Sequence, residues 1–138
     1  MIDIKNINRL VIGYLIVSLM APTALAENPL SEGWELVAKT ASGNEDWLNV
    51  EGILVLNNGD RRAEIIKNLG QPYDGARSIK MVSVFHCKNW RVTHGEWVFW
   101  SEKWAEGEKL NTLSANVASK PVTTGSIAEA ILDTVCTH

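Results

Sequence analysis

The sequence predicts an α+β domain in which short strands form a sheet and a C-terminal helix is tied to it by a disulfide. Three observations carry this. Ile79 to Cys87 alternates with the period of a strand. Ser126 to Cys136 has helical spacing behind a capping signature. The chain has two cysteines, and one ends each of these segments.

The chain opens on a pattern that is not part of that domain. Lys5 and Arg9 make a basic start, Leu10 to Met20 is uncharged and apolar, and Ala24-Leu25-Ala26 is a small-x-small cleavage site. This is the three-part layout of a secretory signal peptide, with an apolar run too short to cross a bilayer. Cleavage is expected after Ala26, so residues 1–26 are read as signal peptide and 27–138 as one exported domain. No cysteine stands at the cleavage site to take a lipid anchor, and no later segment is long and apolar enough to span a membrane. The formal charge is −3, and removing Asp3, Lys5 and Arg9 makes it one unit more negative. An acidic body without a polybasic stretch excludes general nucleic-acid binding and attraction to anionic lipid.

Within the domain, Trp34 to Lys39 and Trp47 to Val50 alternate as strands, and Ile53 to Leu56 is a short apolar run. Asn57-Asn58-Gly59-Asp60 is a hairpin-type turn signal. Arg61 to Leu69 is ambiguous. Asp60 as cap, Ile65, Ile66 and Leu69 at helical spacing and Gly70 as stop slightly favour a helix over the return strand of that hairpin. Gln71 to Gly75 reads as a loop. In the next strand Ile79, Met81, Phe85 and Cys87 share the core face. Trp90 to Trp100 suggests two strands or one broken at Gly95, Glu102 to Lys109 a loop, and Leu110 to Ala118 a strand. In the terminal helix Ile127, Ile131 and Val135, widened by Ala128 and Leu132, form one stripe with Cys136 at its edge. Ser126 and Glu129 form the capping box.

Two cysteines in an exported chain read most simply as a disulfide. Neither has a C-x-x-C neighbour, which sets aside the alternatives of free thiols or metal ligands. Loop-closure entropy for Cys87 and Cys136 gives at most about 4 kcal/mol.

The segment Gly59-Asp60-Arg61-Arg62, the run from Ala76-Arg77-Ser78-Ile79-Lys80 to Cys87, and Gly125-Ser126-Ile127-Ala128-Glu129-Ala130 ending at Cys136 occur in a telling order. With the tryptophan strands Trp34 to Val37 and Trp47 to Glu51, they resemble the surface-adhesin protein E-like family of Gram-negative bacteria over about residues 32–136. The resemblance implies a curved antiparallel sheet with the C-terminal helix packed on it and its last cysteine bonded to the central strand. It also makes Arg61 to Leu69 a strand. It implies a periplasmic, cell-surface or secreted protein that binds a protein partner, such as a host extracellular-matrix or serum protein. A homodimer and haem binding go with the family as well. The family's adhesin is a lipoprotein with a lysine-rich host-binding stretch, and this sequence has neither an anchoring cysteine nor such a stretch. No ligand-contacting residue transfers position by position.

The titratable inventory does not suggest an enzyme. There is no nucleophile-elbow sequence, and an oxidised Cys87 leaves no thiol nucleophile. His86 and His94 would meet as metal or haem ligands only across a tight turn near Asn89 or Trp90, so ordinary strand histidines are expected and no metal or cofactor is assigned. Six tryptophans are the unusual feature of the composition. Most are expected to fill a small core, but Trp97, Trp100 and Trp104 crowd together and are the candidate binding surface. Two function classes follow: an exported adhesin-type binding module, and a periplasmic accessory or inhibitory protein of the cell envelope with no adhesin role.

Overall fold

A computed structural model describes residues 30–115 and 118–138, and the predicted signal peptide lies outside them. The strands are β1 (Trp34–Lys39), β2 (Glu45–Asn49), β3 (Leu54–Val55), β4 (Arg61–Tyr73), β5 (Ala76–His86), β6 (Arg91–Trp100), β7 (Lys109–Leu113) and β8 (Lys120–Pro121). The helix α1 is Ile127–Thr137. All pairs are antiparallel in one sheet of order β1-β2-β4-β5-β6-β7, with β3 added on β4 and β8 on β6. The α+β class, the single C-terminal helix and the Cys87–Cys136 disulfide all stand as expected.

The long hairpin of β4 and β5 is the centre of the sheet. Ile65 faces Leu48 of β2 on one side and Met81 of β5 on the other. A segment paired on both edges satisfies its backbone groups laterally, and this overrides the local helix propensity of Arg61 to Leu69. The strand also runs past Gly70 to Tyr73, where the sequence suggests a loop. Only Asp74 and Gly75 turn, both at positive φ (47° and 79°), as a two-residue hairpin turn of the primed kind needs.

Trp90 to Trp100 is neither two strands nor a broken one. β6 is continuous but carries a bulge: Met81 pairs with Trp97 and Ser83 with His94, so β6 has one more residue than β5 in this interval. Gly95 permits it, since a Cβ there would lie 2.5 Å from the Val82 carbonyl oxygen. Trp90 itself sits in the preceding turn at φ 53°, not in a strand.

One face of the sheet carries Leu48, Ala63, Ile65, Ile79, Met81, Phe85 and Val92, and α1 lays Ile131, Leu132 and Val135 on it. The Ser126 hydroxyl accepts the Glu129 N–H at 3.2 Å. The return half of the predicted capping box is replaced, because the Ser126 N–H donates to the Thr123 carbonyl instead. At the other end of α1 the Arg61 guanidinium donates to the carbonyls of Val135, at 2.8 Å, and His138. A cation there satisfies orphan carbonyls and complements the helix dipole. Cys87, one residue beyond β5, bonds Cys136 with their Cα atoms 5.8 Å apart.

The disulfide and Arg61 therefore anchor the same last turn. Cys136→Ser is expected to lower the unfolding free energy by about 2–4 kcal/mol in urea titrations. Hydrogen exchange is expected to show α1 losing protection before β4 and β5 do. Simultaneous loss across the sheet would contradict this anchoring role.

Candidate binding surface

α1 lies nearest β1, β4 and β5 and reaches β6 only at its first turn, so among the described residues most of the same face of β6 and β7 has no helix over it. A groove of about 710 Å³ occupies this gap, with Ile79, Trp97 and Phe99 as its floor and Tyr73, Leu110 and Leu113 along its sides. Tyr73, Leu110 and Leu113 are 67%, 40% and 48% exposed. β7 beside it is an edge strand, and every one of its residues is exposed. Among the described residues no strand pairs with its outer edge, which leaves that side to another extended chain, although the Thr112 N–H is already donated to Asn111 Oδ1 at 2.8 Å. The arrangement offers main-chain pairing next to apolar side-chain sites, the two elements of strand-addition recognition.

Trp97 also divides this groove from a second space, a cleft of about 180 Å³ under the first turn of α1. The cleft has apolar walls from Met81, Phe85, Trp97 and Ile131 and polar groups at its ends. At one end Asp46, only 1% exposed, has the Lys67 ammonium 3.4 Å from Oδ1, and neither of its carboxylate oxygens has a hydrogen-bond partner. At the other end His94 Nδ1 lies 3.3 Å from the Ser83 hydroxyl, and its ring meets Trp97 edge-on at 5.7 Å. Burial, and then the charge of Lys120, push the His94 imidazole below its ordinary 6.5.

The structure does not bring the three predicted tryptophans together. Trp97 pairs with Met81 on the helix face, whereas Trp100 pairs with Ser78 on the opposite face. Trp104 closes that opposite face, edge-on to Trp47 with ring centroids 5.1 Å apart. It sits in a 3-10 turn, Lys103–Ala105, at φ 66°, and Ala105 follows at φ 55°. Two left-handed non-glycine residues cost on the order of 1–2 kcal/mol each. The turn is held by the N–H groups of Trp104 and Ala105, which donate to Asn68 Oδ1 at 2.8 Å and Ser78 Oγ at 2.9 Å. All three predicted tryptophans are half-buried, while Trp90 is 46% exposed.

His86 and His94 are likewise on opposite faces. His86 bonds Asp60 Oδ2 at 2.7 Å and Thr93 Oγ1 at 2.8 Å, tying the β3–β4 turn to β6. No group of three or more His, Cys, Asp or Glu that could hold a metal ion occurs among the described residues.

Sequence reasoning missed Tyr73, Leu110, Leu113 and the Asp46–Lys67 pair. A signal for Asp46 was present, since strand alternation puts it on the face of Leu48. Nothing local marks Tyr73 and Leu110, which meet only through the register of β4 to β7.

One family model, described as surface-adhesin protein E, matches residues 34–137. Among solved structures, crystal form II of Haemophilus influenzae protein E is 17% identical, covers 85% of this chain and 97% of its own, and has a TM-score of 0.64. Another structure of Haemophilus influenzae protein E is 16% identical, with coverages of 83% and 91% and a TM-score of 0.65. These likenesses show the fold. No curated protein matches the sequence.

Burial pushes the Asp46 carboxyl above its ordinary 3.8, with the Lys67 ammonium pulling it back. A carboxyl that keeps its proton to higher pH when folded than when unfolded gives stability that falls as pH rises past 3.8. Asp46→Asn removes that dependence. In urea titrations from about pH 3 to about pH 7, the stability of the wild type relative to the variant is expected to decline with rising pH. An increase would mean that Lys67 outweighs burial.

Proposed function

The chain belongs to the surface-adhesin protein E family, and from that membership we propose that it is an exported binding module that docks a protein partner, a host extracellular-matrix or serum protein, in the groove beside β7. The observation that carries the reading is the coincidence of a free edge strand with the exposed side chains of Tyr73, Leu110 and Leu113. An extended segment of the partner adds to β7 through its backbone, and alternate side chains enter the groove over Trp97 and Phe99. This agrees with the acidic net charge, which favours a protein over a nucleic acid as partner. Trp97 thus belongs to the contact as its floor.

Saturable binding of the purified protein to immobilised matrix and serum proteins is the test. Tyr73→Ser with Leu110→Ser is expected to weaken it about tenfold or more, as loss of central apolar anchors does. Trp104→Ala, on the other face, is expected to leave it unchanged. Binding that survives the first change and fails with the second would move the contact to the Trp100–Trp104 side. Protease treatment of intact cells is expected to remove the domain. Protection until the outer membrane is opened would instead favour a periplasmic accessory or inhibitory role.

A further inference from the structure

The structure points to a second ligand site, the cleft under the first turn of α1, and we propose that it binds a small primary amine bearing a single ring or a branched apolar group. The size of the cleft, about 180 Å³, is that of a cavity known to hold one benzene ring, about 150 Å³. Its walls of Met81, Phe85, Trp97 and Ile131 suit an apolar body.

The polar end decides the head group. Asp46 lines this cleft, is 1% exposed, and keeps Oδ2 without a partner. An ionised carboxylate only accepts, and buried polar groups are paired in stable proteins. A donor is therefore required, and a charged donor makes the stronger bond. Lys67, which also lines the cleft from a partly exposed position, forms an ion pair with Oδ1 at 3.4 Å, yet neither carboxylate oxygen has a hydrogen-bond partner, so the ligand's ammonium takes up hydrogen bonds that Lys67 leaves unmade. The aromatic rings of Phe85 and Trp97 add a favourable environment for a cation. An anion would meet the carboxylate directly. At the far end burial, and then the charge of Lys120, lower the His94 pKa, which leaves Lys67 beside Asp46 as the lysine or arginine lining the cleft.

Amide and indole NMR shifts of the purified protein, titrated with benzylamine, benzyl alcohol, toluene and benzoate, test this. Benzylamine is expected to shift Ser83, Ala128 and the Trp97 indole saturably, about tenfold or more tightly than toluene or benzoate. Asp46→Asn is expected to reduce benzylamine to the level of benzyl alcohol. Ala128→Met, which fills the cleft without touching Asp46, is expected to abolish binding with an unchanged circular dichroism spectrum and covers the case in which the first variant misfolds. Toluene or benzoate binding as tightly as benzylamine, benzylamine shifting none of these signals, or benzylamine binding untouched by Ala128→Met would each overturn the proposal.

Discussion

Among the described residues one α-helix has to cover a sheet six strands wide, and the rest of the architecture answers that mismatch. An α-helix with its side chains is about 10–12 Å across, and neighbouring strands are about 4.8 Å apart. α1 therefore shields two to three strands, and the remainder of the face must cover itself. β6 does so with the largest side chains available, Trp97 and Phe99, both packed against the core at half burial. On this face the bulk of Trp97 and Phe99 stands in for a missing second layer. The groove beside β7 and the cleft beneath α1 are places where that substitution stays incomplete.

Among the described residues the opposite face has no α-helix, and a turn takes its place. Trp104 on Trp47 closes one end of that face, and the two left-handed residues are the cost of bringing the indole inward. Asn68 and Ser78, buried and directly paired across β4 and β5, are explained by this turn, because their side-chain oxygens receive its N–H groups. Asp46, one strand away on the other side of the sheet, has no comparable structural account. Of the four buried polar positions, Asn68 and Ser78 hold the turn, Ser83 meets His94, and Asp46 has only the ion pair with Lys67.

Much of this was legible in the residues, for identifiable reasons. The alternation from Ile79 to Phe85 and the stripe Ile131, Leu132 and Val135 were readable because a periodic pattern reports directly which side is buried. The cysteine pair was readable because export leaves few other uses for it. Arg61 to Leu69 misled local reasoning, since its helical spacing is real and only the strands on either side, which no window contains, decide against it. The three crowded tryptophans looked like one surface because sequence distance hides parity. The bulge at Gly95 and the turn at Trp104 then fix which face each indole takes. Tyr73 and Leu110 are neighbours only in the folded register, so the groove could not be read before it was built.

The helix that covers this sheet comes after it in the chain. Its neighbours include β1 at residues 34–39, and its disulfide reaches back to Cys87. Synthesis proceeds from the N-terminus, so β1 to β7 are made before the residues that bury them exist. Contacts this distant in sequence also form slowly. Until α1 docks, the apolar face of Leu48, Ile65, Met81 and Phe85 is open, and a chaperone that holds such a nascent sheet would be competing for the same surface as the helix. The Cys87–Cys136 bond then tethers the last turn of α1 to the end of β5 and disfavours its undocking.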